Sequence, residues 1–213
     1  MSIAKTNPPF AGSTTRERVL NAAERLLGTG RPEFSMRELA AEAGVSFATP
    51  FNLFGAKVAI LHALSAQRIE TMHARFAIDA PQGDAASRVL AAVGVAADVM
   101  LENPASNRGV MAALGAPSGE SAGVWTLSRA LWADALGGGE GLSPRTSALA
   151  RDVLPGQLAL AFRGVLSFWT AGEITDQSLS IRARATAAAL LLGFVEEHSR
   201  ERLETLLGKL IDS

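Results

Sequence analysis

Apolar side chains recur every three to four residues along almost the whole chain, the interval at which they share one face of an α-helix. No stretch of useful length alternates apolar and polar positions as a half-buried strand would, so the pattern predicts an all-α protein. Val19, Leu20, Ala23, Leu26 and Leu27 form the first stripe. A long helix opening at Lys57 carries Val58, Leu61, Leu64, Ile69, Met72 and Phe76, and another runs through Val89, Val93, Ala96, Val99 and Met100 until Asn103-Pro104 stops it. Shorter helices are expected near 106–115 and 120–136. The glycine-rich run from Gly137 to Pro144 reads as a plain flexible loop: no strand precedes it and no Gly-Lys-Ser/Thr follows, as a phosphate-binding loop would need. Two long apolar helices rich in Ala and Gly, at about 155–172 and 178–206, are expected to close the chain.

A different pattern lies between the first stripe and Lys57. Ser35 followed by Glu38 is a capping box that starts a helix, and Gly44 supplies the positive φ at which that helix stops. Ser46 is expected to cap a second helix. Leu39, Ala43, Val45 and Leu53 fall where a helix-turn-helix buries its apolar faces, and Ala40 sits where the two helices cross. Phe47, Ala48, Thr49 and Asn52 are left on the outer face of the second helix, the face with which such a motif reads DNA. With Ser46 as cap, Pro50 is the fourth helical residue; it forfeits only the first intrahelical hydrogen bond, which predicts a tightened first turn.

With its flanks, this stretch resembles the tetracycline-repressor-like (TetR) family of transcription regulators. Residues 14–60 carry the specific motifs: Thr15-Arg-Glu-Arg-Val-Leu-Asn-Ala-Ala-Glu-Arg-Leu-Leu-Gly28 matches the opening helix, Phe34-Ser-Met-Arg-Glu-Leu-Ala follows, and Phe51, Phe54 and Lys57 occupy the places of the family's Tyr-x-x-Phe and helix-opening Lys. Residues 61–213 match only in general organisation. The resemblance implies an N-terminal three-helix DNA-binding domain with a helix-turn-helix at 14–60, preceded by a flexible arm at 1–13 and followed by a larger helical effector-binding and dimerisation domain at 61–213. It implies DNA contacts from Arg37, Ser46, Phe47, Ala48, Thr49, Phe51, Asn52 and Lys57. Thr49 and Asn52 offer hydrogen bonds to base edges, Phe47 packs on thymine methyl groups, and Lys57 at a helix start meets a phosphate. Two departures stand out. Phe51 lacks the hydroxyl with which the family's Tyr reaches a phosphate, and Leu53 stands where a phosphate-contacting His is frequent.

Composition changes this picture only at the edges. Of the 213 residues 48% are hydrophobic, enough for a sizeable core, yet no segment approaches the ~20 uninterrupted apolar residues of a membrane span. Residues 1–13 lack the charged start and apolar core of a secretory signal, and the absence of Cys excludes disulfides, thiolate nucleophiles and Cys-based zinc sites. A cytoplasmic location is expected. The net charge of -1 conceals an asymmetry: residues 1–76 hold nine Lys/Arg against six Asp/Glu, leaving +3, and the remainder hold eleven against fifteen, leaving -4. The positive part contains the helix-turn-helix, as a phosphate-facing surface requires.

In the C-terminal part Met100, Met111, Trp125, Trp132, Phe162, Phe168 and Trp169 are the bulky residues available to line an effector pocket, with Arg108, Arg129 and Arg163 as partners for an anionic group. The two closing helices carry apolar residues on more than one face, and pairing with a second copy would cover the excess; Leu191 and Phe194 are placed at that dimer interface. His62, His73 and His198 are scattered, no Ser-centred nucleophile motif occurs, and no enzyme activity, cofactor or metal is expected. The sequence therefore reads as a homodimeric, ligand-responsive regulator, a repressor that binds double-stranded operator DNA and is released by a small lipophilic or aromatic effector, with no membrane partner. The missing phosphate anchors motivate the alternative, an all-α small-molecule-binding or enzymatic domain whose helix-turn-helix has lost DNA recognition.

Overall fold

The computed structural model describes residues 14–29, 33–79, 82–115 and 123–211, and the arm expected at 1–13 lies outside them. The described residues form ten α-helices: α1 (Thr15–Gly28), α2 (Met36–Ala43), α3 (Ala48–Phe54), α4 (Lys57–Asp79), α5 (Ala85–Glu102), α6 (Pro104–Ala113), α7 (Val124–Leu136), α8 (Ser147–Thr170), α9 (Asp176–Leu191) and α10 (Glu197–Ile211). No helix among them is long and apolar enough to cross a membrane.

Local signals set several of the boundaries. Thr14 and Glu17 form a capping box at α1, as Ser35 and Glu38 do at α2. Thr175 caps α9 through the Ser178 N–H, and Pro104 occupies the first turn of α6, where its missing donor costs nothing. Two apolar clusters result. The smaller joins Val19, Leu20, Ala23 and Leu27 of α1 to Phe34, Leu39, Ala43, Ile60 and Leu64, and the larger spans α4 to α10 around Val89, Trp132, Leu158, Trp169 and Leu191. Helix α4 contributes to both, so one continuous helix runs from head to body. Helix α6 packs against α1, and Gly109 lies so close to Leu27 that a Cβ there would stand 3.0 Å from it.

Three expectations change. Helix α8 begins eight residues before the expected start at 155, with Pro155 buried inside it. The tertiary packing outweighs the backbone hydrogen bond that a mid-helix proline removes. The helix expected over 178–206 is two helices, α9 and α10, separated by residues 192–196. The glycine-rich loop is stitched in place. Ala85 N–H donates to Glu140 O at 2.7 Å, Ser143 N–H to Phe194 O at 2.8 Å and Glu196 N–H to Gly141 O at 3.0 Å. Arg88 donates to the carbonyls of Ala135 and Leu136 and pairs with Glu140 at 2.6 Å. Glycine is demanded by geometry there: Gly141 has φ 80°, and a Cβ on it would lie 2.7 Å from that of Asp84.

Candidate functional site

In the helix-turn-helix, Leu39 and Ala43 turn inward into the small core, and Ala40 is buried beside them. Gly44, at φ 61°, ends α2, its N–H donating to Ala41 O and that of Val45 to Ala40 O at 3.0 Å. Arg18 of α1 closes the turn from outside, donating to the carbonyls of Ala43 and Gly44 at 2.9 and 2.8 Å. The second helix departs from expectation. Its N-cap position is Phe47 and no side chain caps it; the Ser46 and Thr49 hydroxyls hydrogen-bond each other at 2.7 Å instead. Thr49 N–H donates to Ser46 O at 3.0 Å, the three-residue span of a tightened turn. Pro50 is buried and lies within the first turn, where its missing N–H has no helical partner to lose.

The outer face presents Arg37, Ser46, Phe47, Ala48, Phe51 and Asn52 to solvent, with Thr49 half-buried. Phe47, 55% exposed, meets Phe51 edge-on at 5.4 Å between centroids, and the Arg37 guanidinium lies 5.8 Å from the Phe47 ring. A pair of uncovered aromatic rings beside an arginine, on a polar head, is an exposed apolar patch of the kind that marks a contact surface. Lys57 begins α4 with its ammonium 4.4 Å from the Phe34 ring centroid. Leu53, expected to be buried, is 37% exposed; what it offers inward is its carbonyl, which accepts from Arg16.

A second site lies in the body. A cavity of about 220 Å³ is bounded by α4, α5, α6, α7 and α8, and its wall is almost wholly apolar. Met100, Met111, Trp125, Trp132 and Phe162, named above as candidate pocket residues, line it with Ile69, Met72 and Leu131, and Trp132 and Phe162 are in edge contact at 5.5 Å. Trp125 is half exposed and forms part of the rim. Phe168 and Trp169 do not belong to it. Phe168 is 54% exposed on the outside of α8, and Trp169 is fully buried with its indole N–H donating to Asp176 at 2.7 Å. Adjacent residues on a helix face different ways, so at most one of the two could have faced a given cavity.

Of the three arginines weighed as anion partners, Arg108 is held by Asp176 at 2.5 Å, Arg129 stays on the surface, and Arg163 lines the cavity. Burial pulls the Arg163 guanidinium below its ordinary pKa. Sequence reasoning missed Arg68 and Asn107. Arg68 lines the cavity, donates to Asn107 Oδ1 at 2.8 Å and pairs with Glu24 of α1, while the Asn107 amide donates to the carbonyls of Val99 and Met100. The one signal for them was a polar residue inside an apolar stripe. Among the described residues no group of three or more His, Cys, Asp or Glu could hold a metal ion.

Of the dimer seam placed at Leu191 and Phe194, Leu191 needs correction. Leu191 is 0% exposed within a single chain, packed in the larger core, and Phe194 is half-buried against the same core. Large apolar side chains that do face outward on α8 and α9 are Leu149, Leu160, Phe168 and Ile181.

No family model and no curated protein matches the chain. Solved structures do. A TetR transcriptional regulator from Rhodococcus sp. RHA1 is similar over 83% of this chain and 96% of its own, at 22% identity and a TM-score of 0.67. A TetR-family regulator from Streptomyces coelicolor covers 93% and 88% at 20% identity and a TM-score of 0.54, and a gamma-butyrolactone receptor covers 92% and 96% at 19% and 0.53. The motif resemblance at residues 14–60 thus extends to the whole architecture, and the chain has the fold of TetR-type regulators.

Proposed function

We propose that the chain is a homodimeric, ligand-responsive transcriptional regulator that binds operator DNA through α2, α3 and the start of α4 and releases it when a small lipophilic effector fills the body cavity. The observation that carries this reading is the coexistence of an uncovered α3 face and an apolar cavity whose wall residue Arg68 is paired with Glu24 on α1. The head corresponds to residues 14–60 and the effector and dimerisation domain to 61–213, in a cytoplasmic protein with no catalytic role. Arg37, Thr49 and Asn52 read base edges, Phe47 and Phe51 pack on apolar groove surface, and Lys57 meets a phosphate. Helices α8 and α9 supply the dimer seam through exposed residues such as Phe168 and Ile181.

Effector action is population shift: the ligand must bind the DNA-incompetent spacing of the two heads more tightly than the competent one. The test is a gel-shift with fragments of the protein's own upstream region, with salt varied and with cavity-sized lipophiles added. Specific retardation that steepens as salt falls and is reversed by a lipophile supports the reading. Retardation of no fragment at low salt would favour the second reading, a helical binding domain without DNA recognition, for which Phe51 and Leu53 in place of phosphate-contacting side chains are the motivation.

A further inference from the structure

The body cavity is apolar but not electrically neutral. Among the described residues Arg68 and Arg163 line it, and no Asp or Glu does. Arg68 has its counter-charge in Glu24. Arg88 and Arg108, part-buried elsewhere in the body, have theirs in Glu140 and Asp176. Arg163 differs: among the described residues its hydrogen bond is a 3.4 Å contact with the Leu114 carbonyl, and no carboxylate pairs with it. A half-buried guanidinium in an apolar wall is costly unless a negative charge meets it. Its planar fork of donors matches a carboxylate in both geometry and charge.

We propose that the cavity is built for an apolar monocarboxylate whose carboxylate pairs with Arg163 while its hydrocarbon body lies among Met72, Met100, Met111, Leu131 and Phe162. This rests on reading the cavity as the effector site. The body is small, because a dry cavity of about 150 Å³ accepts benzene and this one is about 220 Å³, which sets the ligand at roughly ten carbons. Three methionines in the wall give it the unbranched, deformable surface that a flexible chain can fill.

The test is direct binding to the full chain without DNA, by calorimetry and by the fluorescence of Trp125 and Trp132. Decanoate, decan-1-ol and γ-decalactone are the probes: one anion and two uncharged molecules of similar apolar size. Decanoate should bind about tenfold or more tighter than either neutral probe, the difference expected of a charge-assisted hydrogen bond. Arg163→Gln should abolish that preference while leaving decan-1-ol binding within about twofold. Equal binding of the three probes to the unaltered protein overturns the proposal without need of the variant, as does a preference that survives Arg163→Gln. Decanoate bound through Arg163 with no effect in the gel-shift would leave this assignment standing and sink the regulator reading. Release of DNA by an uncharged lipophile with no preference for the anion would do the reverse.

Discussion

Arg68 on α4 and Glu24 on α1 form an ion pair that fastens the wall of the body cavity to the first helix of the head. The same guanidinium holds Asn107, whose amide is fixed by the carbonyls of Val99 and Met100, so the contact continues into α5 and α6. A ligand that met Arg68 from the cavity would act on a group that touches the head directly. Coupling between two sites needs differential contacts in two states, and this pair is the contact through which a cavity ligand would reach the head.

Glu24→Gln should weaken that link and leave the cavity intact. The expected outcome is effector affinity within about threefold of the unaltered protein, with the effector-induced loss of DNA affinity reduced several-fold. Gel-shifts with and without effector measure it. An unchanged response would show that the pair is structural only.

Phe47→Ala, Arg37→Ala and Asn52→Ala all alter solvent-facing positions, so melting should shift by no more than about 0.5 kcal/mol of stability. Loss of a base contact should cost ~1–3 kcal/mol of operator affinity in each polar variant. Lys57→Ala should weaken all sequences alike and reduce the salt slope by about one. Pro50→Leu should change stability by less than about 1.5 kcal/mol, since it exchanges one buried apolar filler for another of similar size.

Asp84 predicts an acid transition. Burial pushes its carboxyl up, but the hydrogen bonds from Ser199 and Ser87, with the Arg202 charge, outweigh it and hold the pKa at about 2 against an ordinary 3.8. A group depressed in this way stabilises the fold above its unfolded pKa, and the contribution is lost as pH falls from about 4 through about 2. The loss amounts to about 2 kcal/mol. Asp84 caps α5 and fastens α10 through Ser199 and Arg202, so Asp84→Asn should destabilise at pH 7 and flatten that part of the acid titration. Chemical denaturation across the pH range checks both.

Phe168→Glu and Ile181→Glu place charges on the outer faces of α8 and α9 and should yield folded monomers that bind DNA weakly, because a charge buried at a two-fold seam has no partner from either copy. Leu191→Glu should instead unfold the body, since that side chain is fully enclosed within one chain. Sedimentation and circular dichroism separate the outcomes. Folded dimers from both outer variants would move the seam elsewhere.

What was legible in the sequence was what local chemistry decides. Ser35, Glu38 and Gly44 fix their turn through bonds to neighbours, so the helix-turn-helix could be read directly. The N-cap at Ser46 failed because its hydroxyl found the Thr49 hydroxyl at the same distance in sequence. Leu191 was misplaced because α9 ends in Ala187-Ala-Ala-Leu-Leu191, where every side is apolar, so the sequence does not say which face meets the core. Trp169 and Phe168 were indistinguishable by composition; only the packing of α8 and the reach of Asp176 tell them apart. Glycines at 137–141 look alike whether they loosen a loop or allow the close approach of Asp84 and Arg88.

Helix α3 is seven residues long, has no side-chain cap and contains a proline, so it could not persist as a helix by itself. Its shape is imposed from outside: Arg16 of α1 lies 4.3 Å from the Phe54 ring centroid and reaches the Leu53 carbonyl, and the Pro50 ring is buried. The surface that would read a base sequence is therefore a guest of its neighbours, packed on α2 and α4 and tied to α1 by Arg16. Its amide protons should exchange whenever those helices part, at a rate set by their opening rather than by any opening of its own. Loosening the packing among those helices would thus erase the reading surface by melting it, a loss of order that needs no large displacement of the two heads.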